Sequence, residues 1–289
     1  MLQPIPFLQP SKPNGSTSTY DGIIYRIDAS GFVVWNTYLG GQNGHTTITG
    51  AALDNEDNLY ICGGTMGGTL FPIEDPGGSA YVENTGNAFV SVFANNNELL
   101  WSTRFGAESG DVSTERPTDI TVFEGTIGIV GRTDDDGFEP MGIAYQETYG
   151  GGLTDGFLIR FNVDYSDDWS TYIGLEQKDY LRTITHNLEG DYFIGGNSYG
   201  SAHIDTYISP TLEAGGGDLW DTPQGEGDAL LGKFSSSGER LWLTYYGGDD
   251  DDYISDIDFD ENRNLLFVTG YTASYAPSFP INGDLPGVL

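Results

Sequence analysis

Carboxylates are the groups in this chain with the most chemical reach. Asp249, Asp250, Asp251 and Asp252 stand in a row, and Glu108, Asp111, Asp134, Asp135, Asp136, Glu176 and Asp179 fall in three further short stretches. Like charges at such spacing repel one another unless water, salt or a cation screens them, and hard cations such as calcium take oxygen ligands of this kind. The run Asp249 to Asp252 is therefore the candidate calcium site, and the other seven residues are candidates for a binding face. Paired carboxylates also serve glycoside hydrolysis, but 43 acidic residues offer too many pairs to choose among. Asp256, Asp258 and Asp260 have the spacing of an EF-hand start, yet the loop glycine and terminal glutamate are missing, which excludes that motif.

Other catalytic constellations are missing. His45, His186 and His203 share no metal-ligand spacing, no G-x-S-x-G elbow occurs, and the single cysteine, Cys62, reads as a small core residue in an apolar strand. No S-x-D-x-G-x-T-W turn of the sialidase type is present, nor the adjacent cysteine pair of many quinone-dependent propeller dehydrogenases. Eleven basic residues against 43 acidic ones give a formal net charge of −32, which repels nucleic acid and anionic membrane surfaces at long range. No segment approaches the length of a membrane span, and Met1 to Pro6 has neither a basic region nor an unbroken apolar one.

The elements that must carry these residues repeat. W-x-T-x-x-G occurs at Trp35, Trp101, Trp169 and Trp242, spaced 66, 68 and 73 residues apart. Each copy opens on a short strand headed by Asp21, Asn87, Asp155 or Asp228, always 14 residues before its tryptophan. A constant span across divergent sequence means a hairpin of fixed length, with turns such as Asp28-Ala29-Ser30-Gly31 and Ser235-Ser236-Ser237-Gly238. A third strand follows (Ile48 to Leu53, Thr118 to Phe123, Leu181 to His186, Ile254 to Phe259), and Asn or Gly turns lead into a fourth. The expectation is an all-β fold, a β-propeller of four-stranded antiparallel blades with four repeats visible. It is one domain: a lead-in over 1–20, blades with their loops over 21–86, 87–154 and 155–227, and a last blade with lead-out over 228–289. The four tryptophans, present once per copy at fixed spacing, are expected to wedge between adjacent blades.

These residues resemble the SBBP family of bacterial β-propeller repeats, whose copies read like D-A-F-V-x-K-F, then W-S-T-Y-x-G-G, an I-A-V-D strand, N-x-Y-V-T-G-x-T and F-P. Asp228 to Phe234, Trp242 to Gly248, Asn264 to Thr272 and Phe279-Pro280 follow that pattern, and the first copy, Asp21 to Pro72, nearly so. The second copy departs at Arg104, and the third lacks the turn glycine and the F-P. The resemblance implies a propeller in exported or cell-surface proteins and implies no enzymatic activity.

Strand alternation puts the short turns on one face and the long, variable connections, with much of the acidity, on the other. Variable loops on a rigid scaffold are where binding resides. The functional expectation is a non-catalytic module that binds a protein or glycan through its acidic long-loop face, with calcium as the one cofactor left open and assembly with further blades or another chain as a further partner. Two alternatives stay open: a hydrolase of polysaccharides with carboxylates in the axial funnel, and a purely structural assembly component.

Overall fold

The computed structural model describes residues 20–41, 44–66, 70–106, 115–134, 136, 138, 140–142, 144–174, 176–199, 225 and 227–275. They form sixteen strands and no helix: β1 (Gly22–Ile27), β2 (Val33–Leu39), β3 (His45–Leu53), β4 (Leu59–Met66), β5 (Ala88–Phe93), β6 (Leu99–Phe105), β7 (Arg116–Phe123), β8 (Thr126–Thr133), β9 (Asp155–Phe161), β10 (Asp167–Ile173), β11 (Asp179–His186), β12 (Tyr192–Tyr199), β13 (Gly227–Phe234), β14 (Arg240–Tyr246), β15 (Asp252–Asp260) and β16 (Leu265–Thr272). All pairings between these strands are antiparallel.

The hydrogen-bonded blades do not coincide with the sequence repeats. The four-stranded sheets are β3-β4-β5-β6, β7-β8-β9-β10 and β11-β12-β13-β14, flanked by the two-stranded sheets β1-β2 and β15-β16. Each blade therefore takes the last two strands of one repeat and the first two of the next. The stretches 21–86, 87–154, 155–227 and 228–289 delimit repeats and not blades. Periodicity in a sequence fixes a repeat length but not its phase, whereas burial fixes the phase. A strand in mid-sheet with both faces covered reads as a continuous apolar run. All six residues of β5, Ala88 to Phe93, are buried, which suits a strand flanked by β4 on one side and β6 on the other.

One glycine per repeat makes the inner pairing feasible. Gly63, Gly131, Gly196 and Gly270 sit at the same register, opposite Ile48, Pro117, Leu181 and Ile254. A Cβ there would run into the carbonyl oxygen of Thr47, Arg116, Tyr180 or Tyr253. The next step of each ladder carries a β-bulge that leaves Thr49, Thr118, Arg182 or Ser255 out of the register.

The hairpin of fixed length turns through a left-handed residue ten positions after each repeat start: Gly31 (φ 87°), Asn97 (φ 74°), Tyr165 (φ 63°) and Gly238 (φ 87°). In the first copy the Asp28 carboxylate accepts the amides of Ser30 (2.8 Å) and Phe32 (3.0 Å), an Asx turn that closes the hairpin.

Apolar side chains between the sheets form the core. Trp101 of β6 is fully buried, lies edge-on to Phe161 of the next blade (5.2 Å between centroids) and donates its indole N–H to the Tyr81 carbonyl at 2.9 Å. Trp169 of β10 packs on Tyr192 of the following blade and donates to the Ser236 carbonyl at 3.0 Å. Trp35 meets Phe93 across the first seam. Trp242 lies against Phe193, which itself stacks on Phe259 of β15 at 4.8 Å.

The two terminal pairs are half-blades. β16 and β1 share no ladder, so the described sheets do not close a ring. The consequence shows in burial: Ile23 of β1 is 56% exposed, whereas its counterparts Phe89 and Phe157 are fully buried. Tyr25, Val34, Phe267, Val268 and Tyr271 are exposed on the same two half-blades.

Candidate functional site

β3, β7, β11 and β15 are the first strands of their sheets and pack side by side, β3 on β7, β7 on β11 and β11 on β15, around the propeller axis. Hydroxyls freed by the bulges tie neighbours together: Thr49 donates to the Pro117 carbonyl (2.7 Å) and Thr118 to the Leu181 carbonyl (2.8 Å). The Asp119 carboxylate accepts the Ile184 amide (2.9 Å), and burial raises its pKa.

Where these inner strands begin, beside the connections that lead into them, lies a cavity of about 390 Å³. Equivalent positions of successive blades line it. The residue before the glycine partner is Thr47, Arg116 or Tyr180, the bulged residue is Thr49, Thr118 or Arg182, and the residue after the glycine is Gly64 or Arg132. The scaffold repeats while the side chains do not. Copy by copy, small polar groups at the first blade give way to arginines and an aromatic ring at the second and third.

Three of the chain's eleven basic residues thus meet at one place in a strongly acidic protein. The Arg132 guanidinium lies over the Tyr180 ring, 4.8 Å from its centroid, and Arg182 approaches the same ring at 5.8 Å and that of Tyr253 at 5.7 Å. Arg182 also donates through Nε to the Asn197 side chain at 3.0 Å. Burial lowers the Arg132 pKa, and the neighbouring charges of Arg116 and Arg182 push it the same way. Glu115, buried behind Gly106, is the one carboxylate in the lining among the described residues, and His45 completes the rim.

Residues 34–72 and 241–275 match the family model described as SBBP, beta-propeller repeat. Over those two stretches the chain is similar to SBBP beta-propeller repeats. Both matches start at the tryptophan strand, β2 or β14, and run on through the next hairpin, β3-β4 or β15-β16, so the SBBP unit itself crosses a seam between blades. No curated protein matches the chain.

Each seam holds a second polar layer. The glycine ending W-x-T-x-x-G sits against a carboxylate: Gly40 on Asp21, Gly106 on Glu115, Gly174 on Asp155, and Gly247 on both Asp228 and Asp252. Asp155 of β9 and Asp179 of β11 belong to adjacent blades, as do Asp228 of β13 and Asp252 of β15, and all four are buried. Burial first, and then the Asp179 charge, raises the Asp155 pKa to about 7. Asp252 accepts the Gly248 amide (2.6 Å) and the Ser274 hydroxyl (3.0 Å).

The acidic residues singled out in the sequence are dispersed by the propeller scaffold. Asp179 and Asp252 turn inward into the seams, Asp134 and Asp251 are half-buried, and Asp136, Glu176, Asp249 and Asp250 are exposed. Glu108, Asp111 and Asp135 lie outside the described residues. Among the described residues, no three His, Cys, Asp or Glu side chains converge as a metal site would require. Cys62 is fully buried, and burial raises its thiol pKa, which leaves it unreactive. What sequence reading passed over is the arginine group at the axis. Its signal was the placement of scarce charges at three register positions of the inner hairpins, Arg116 on β7, Arg132 on β8 and Arg182 on β11.

Proposed function

We propose that this chain is a non-catalytic β-propeller module that binds a protein or glycan partner through its long-loop face, within an exported or cell-surface bacterial protein. One observation carries this reading. On that face, equivalent positions of a repeated scaffold diverge into arginines and an aromatic ring around a formed cavity, while the scaffold glycines and tryptophans stay constant. A rigid frame with variable lining is the arrangement of a recognition site. Glycan and peptide arrays probed with the purified chain test it. Saturable binding to a defined subset supports the module, and no saturable binding, or turnover of a bound polysaccharide, contradicts it.

A second reading, as an assembly component, draws on the exposed half-blades. Among the described residues β16 lacks the neighbour that β4 has in β5, and β1 lacks the neighbour that β5 has in β4. A second copy of the chain supplies the missing strand if Gly270 faces Ile23 as Gly63 faces Phe89. An open strand edge beside exposed apolar side chains favours such pairing. Sedimentation velocity at rising concentration distinguishes the readings. Association that Val268→Lys suppresses supports assembly, and a monomer at every concentration refutes it.

A further inference from the structure

Building on the ligand-binding reading above, we infer that the axial cavity binds a small monoanionic acid sugar, with its carboxylate held by Arg132 and Arg182 and its ring beside Met66, Pro117 and Leu181. Three features of the cavity converge on that class. Guanidinium groups present paired donors that match a carboxylate, and Arg132 is already oriented by the Tyr180 ring beneath it. Among the described residues no hydrogen bond occupies the Arg132 guanidinium, so its donors stand available. Among the described residues of the lining three arginines stand against one carboxylate, Glu115, while the chain as a whole carries −32. The positive centre therefore sits inside a negative field.

That combination selects by charge. Each further negative charge on a ligand must be brought through the repulsive field of the whole protein, so a long polyanion is rejected and a single carboxylate is tolerated. Size points the same way, since about 390 Å³ lies near the lower end of small-molecule pockets and admits a ring or two. Met66, Pro117 and Leu181 give the lining an apolar part suited to a sugar ring face, and Thr47, Thr49 and Thr118 line the same space.

Calorimetric titration of the whole chain with D-galacturonate, D-glucose and inorganic sulfate tests the inference, alongside Arg132→Gln and Arg182→Gln checked for unchanged melting temperature. Galacturonate is expected to bind about tenfold or more tighter than glucose, since a charge-assisted pair supplies the difference, and each substitution is expected to remove most of that preference. Sulfate is expected to compete weakly. Equal affinity for galacturonate and glucose, or a preference that survives both substitutions, overturns the assignment. So does tight sulfate binding without galacturonate binding. Saturable glycan or peptide binding on the arrays without an acid preference would sink this inference alone, whereas no binding to any array member sinks the module reading beneath it.

Discussion

Trp101 and Tyr165 stack face to face across the seam between the first two complete blades, with centroids 4.8 Å apart and planes 10° from parallel. Tyr165 holds the left-handed turn position that Gly31 and Gly238 occupy in other copies. A bulky residue there carries backbone strain of about 1–3 kcal/mol, offset here by the stack and by the Tyr81 amide donating to the Tyr165 carbonyl at 2.8 Å. Tyr165→Ala keeps the strain and loses the stack, so it should destabilise by about 1–2 kcal/mol more than Tyr165→Gly, which relieves the strain. Denaturant midpoints of the two variants check the order, and an alanine variant as stable as the glycine one would refute it.

Asp155 gives the fold a pH dependence of known sign. Its folded pKa of about 7 stands above the ordinary carboxylate value of 3.8, so the folded state binds the extra proton between those values. Stability from this group is full below about pH 4, declines as pH rises to about 7, and stays low above. The decline is on the order of 2–4 kcal/mol for a shift of this size. Asn87 occupies the equivalent position in the second repeat. Asp155→Asn should therefore raise the melting temperature at pH 8 more than at pH 4.5. An unchanged difference between the two pH values would remove Asp155 as its source.

The glycine facing the inner strand is required by close approach. In Gly63→Ala the new methyl meets the Thr47 carbonyl, part of a strand ladder with little room to shift. A loss of about 3 kcal/mol or more is expected. Gly64→Ala, one residue on, meets only the Asn87 carbonyl at 3.7 Å and should cost far less. Equal melting temperatures for the two variants would contradict the register.

The buried tryptophans should differ from the terminal ones. Trp101 and Trp169 are sealed between complete blades, whereas Trp35 and Trp242 stay half-buried beside the half-blades. Alanine at Trp101 should cost about 3–5 kcal/mol, and at Trp35 clearly less. Thermal unfolding of the pair checks this, and equal losses would argue against the open ends.

Much of the fold was legible because it depends on local pattern. The constant 14-residue span marked the hairpins, and the left-handed residue ten positions into each copy was visible as glycine in two of them. Strand phase was not legible, because nothing in a hairpin's own sequence says which edge it shares. The clue was the apolar run Ala88 to Phe93, which required cover on both faces. The site was hidden by abundance. Many acids drew attention to Asp249 to Asp252, and Asp252 proved to be a seam residue tied to Gly248 and Ser274. Arg116, Arg132 and Arg182 lie 16 and 50 residues apart in the chain and meet only because the starts of β7 and β11 and the end of β8 come together beside one axis.

Hydrogen exchange read by mass spectrometry, with and without saturating D-galacturonate, tests most directly whether recognition occurs where the copies diverge at the axis. Added protection is expected at the starts of β7 and β11 and the end of β8, around Arg116, Tyr180 to Arg182 and Arg132. Protection confined to the exposed acidic segments at Asp136, Glu176 and Asp249 to Asp250, or absent altogether, would contradict it.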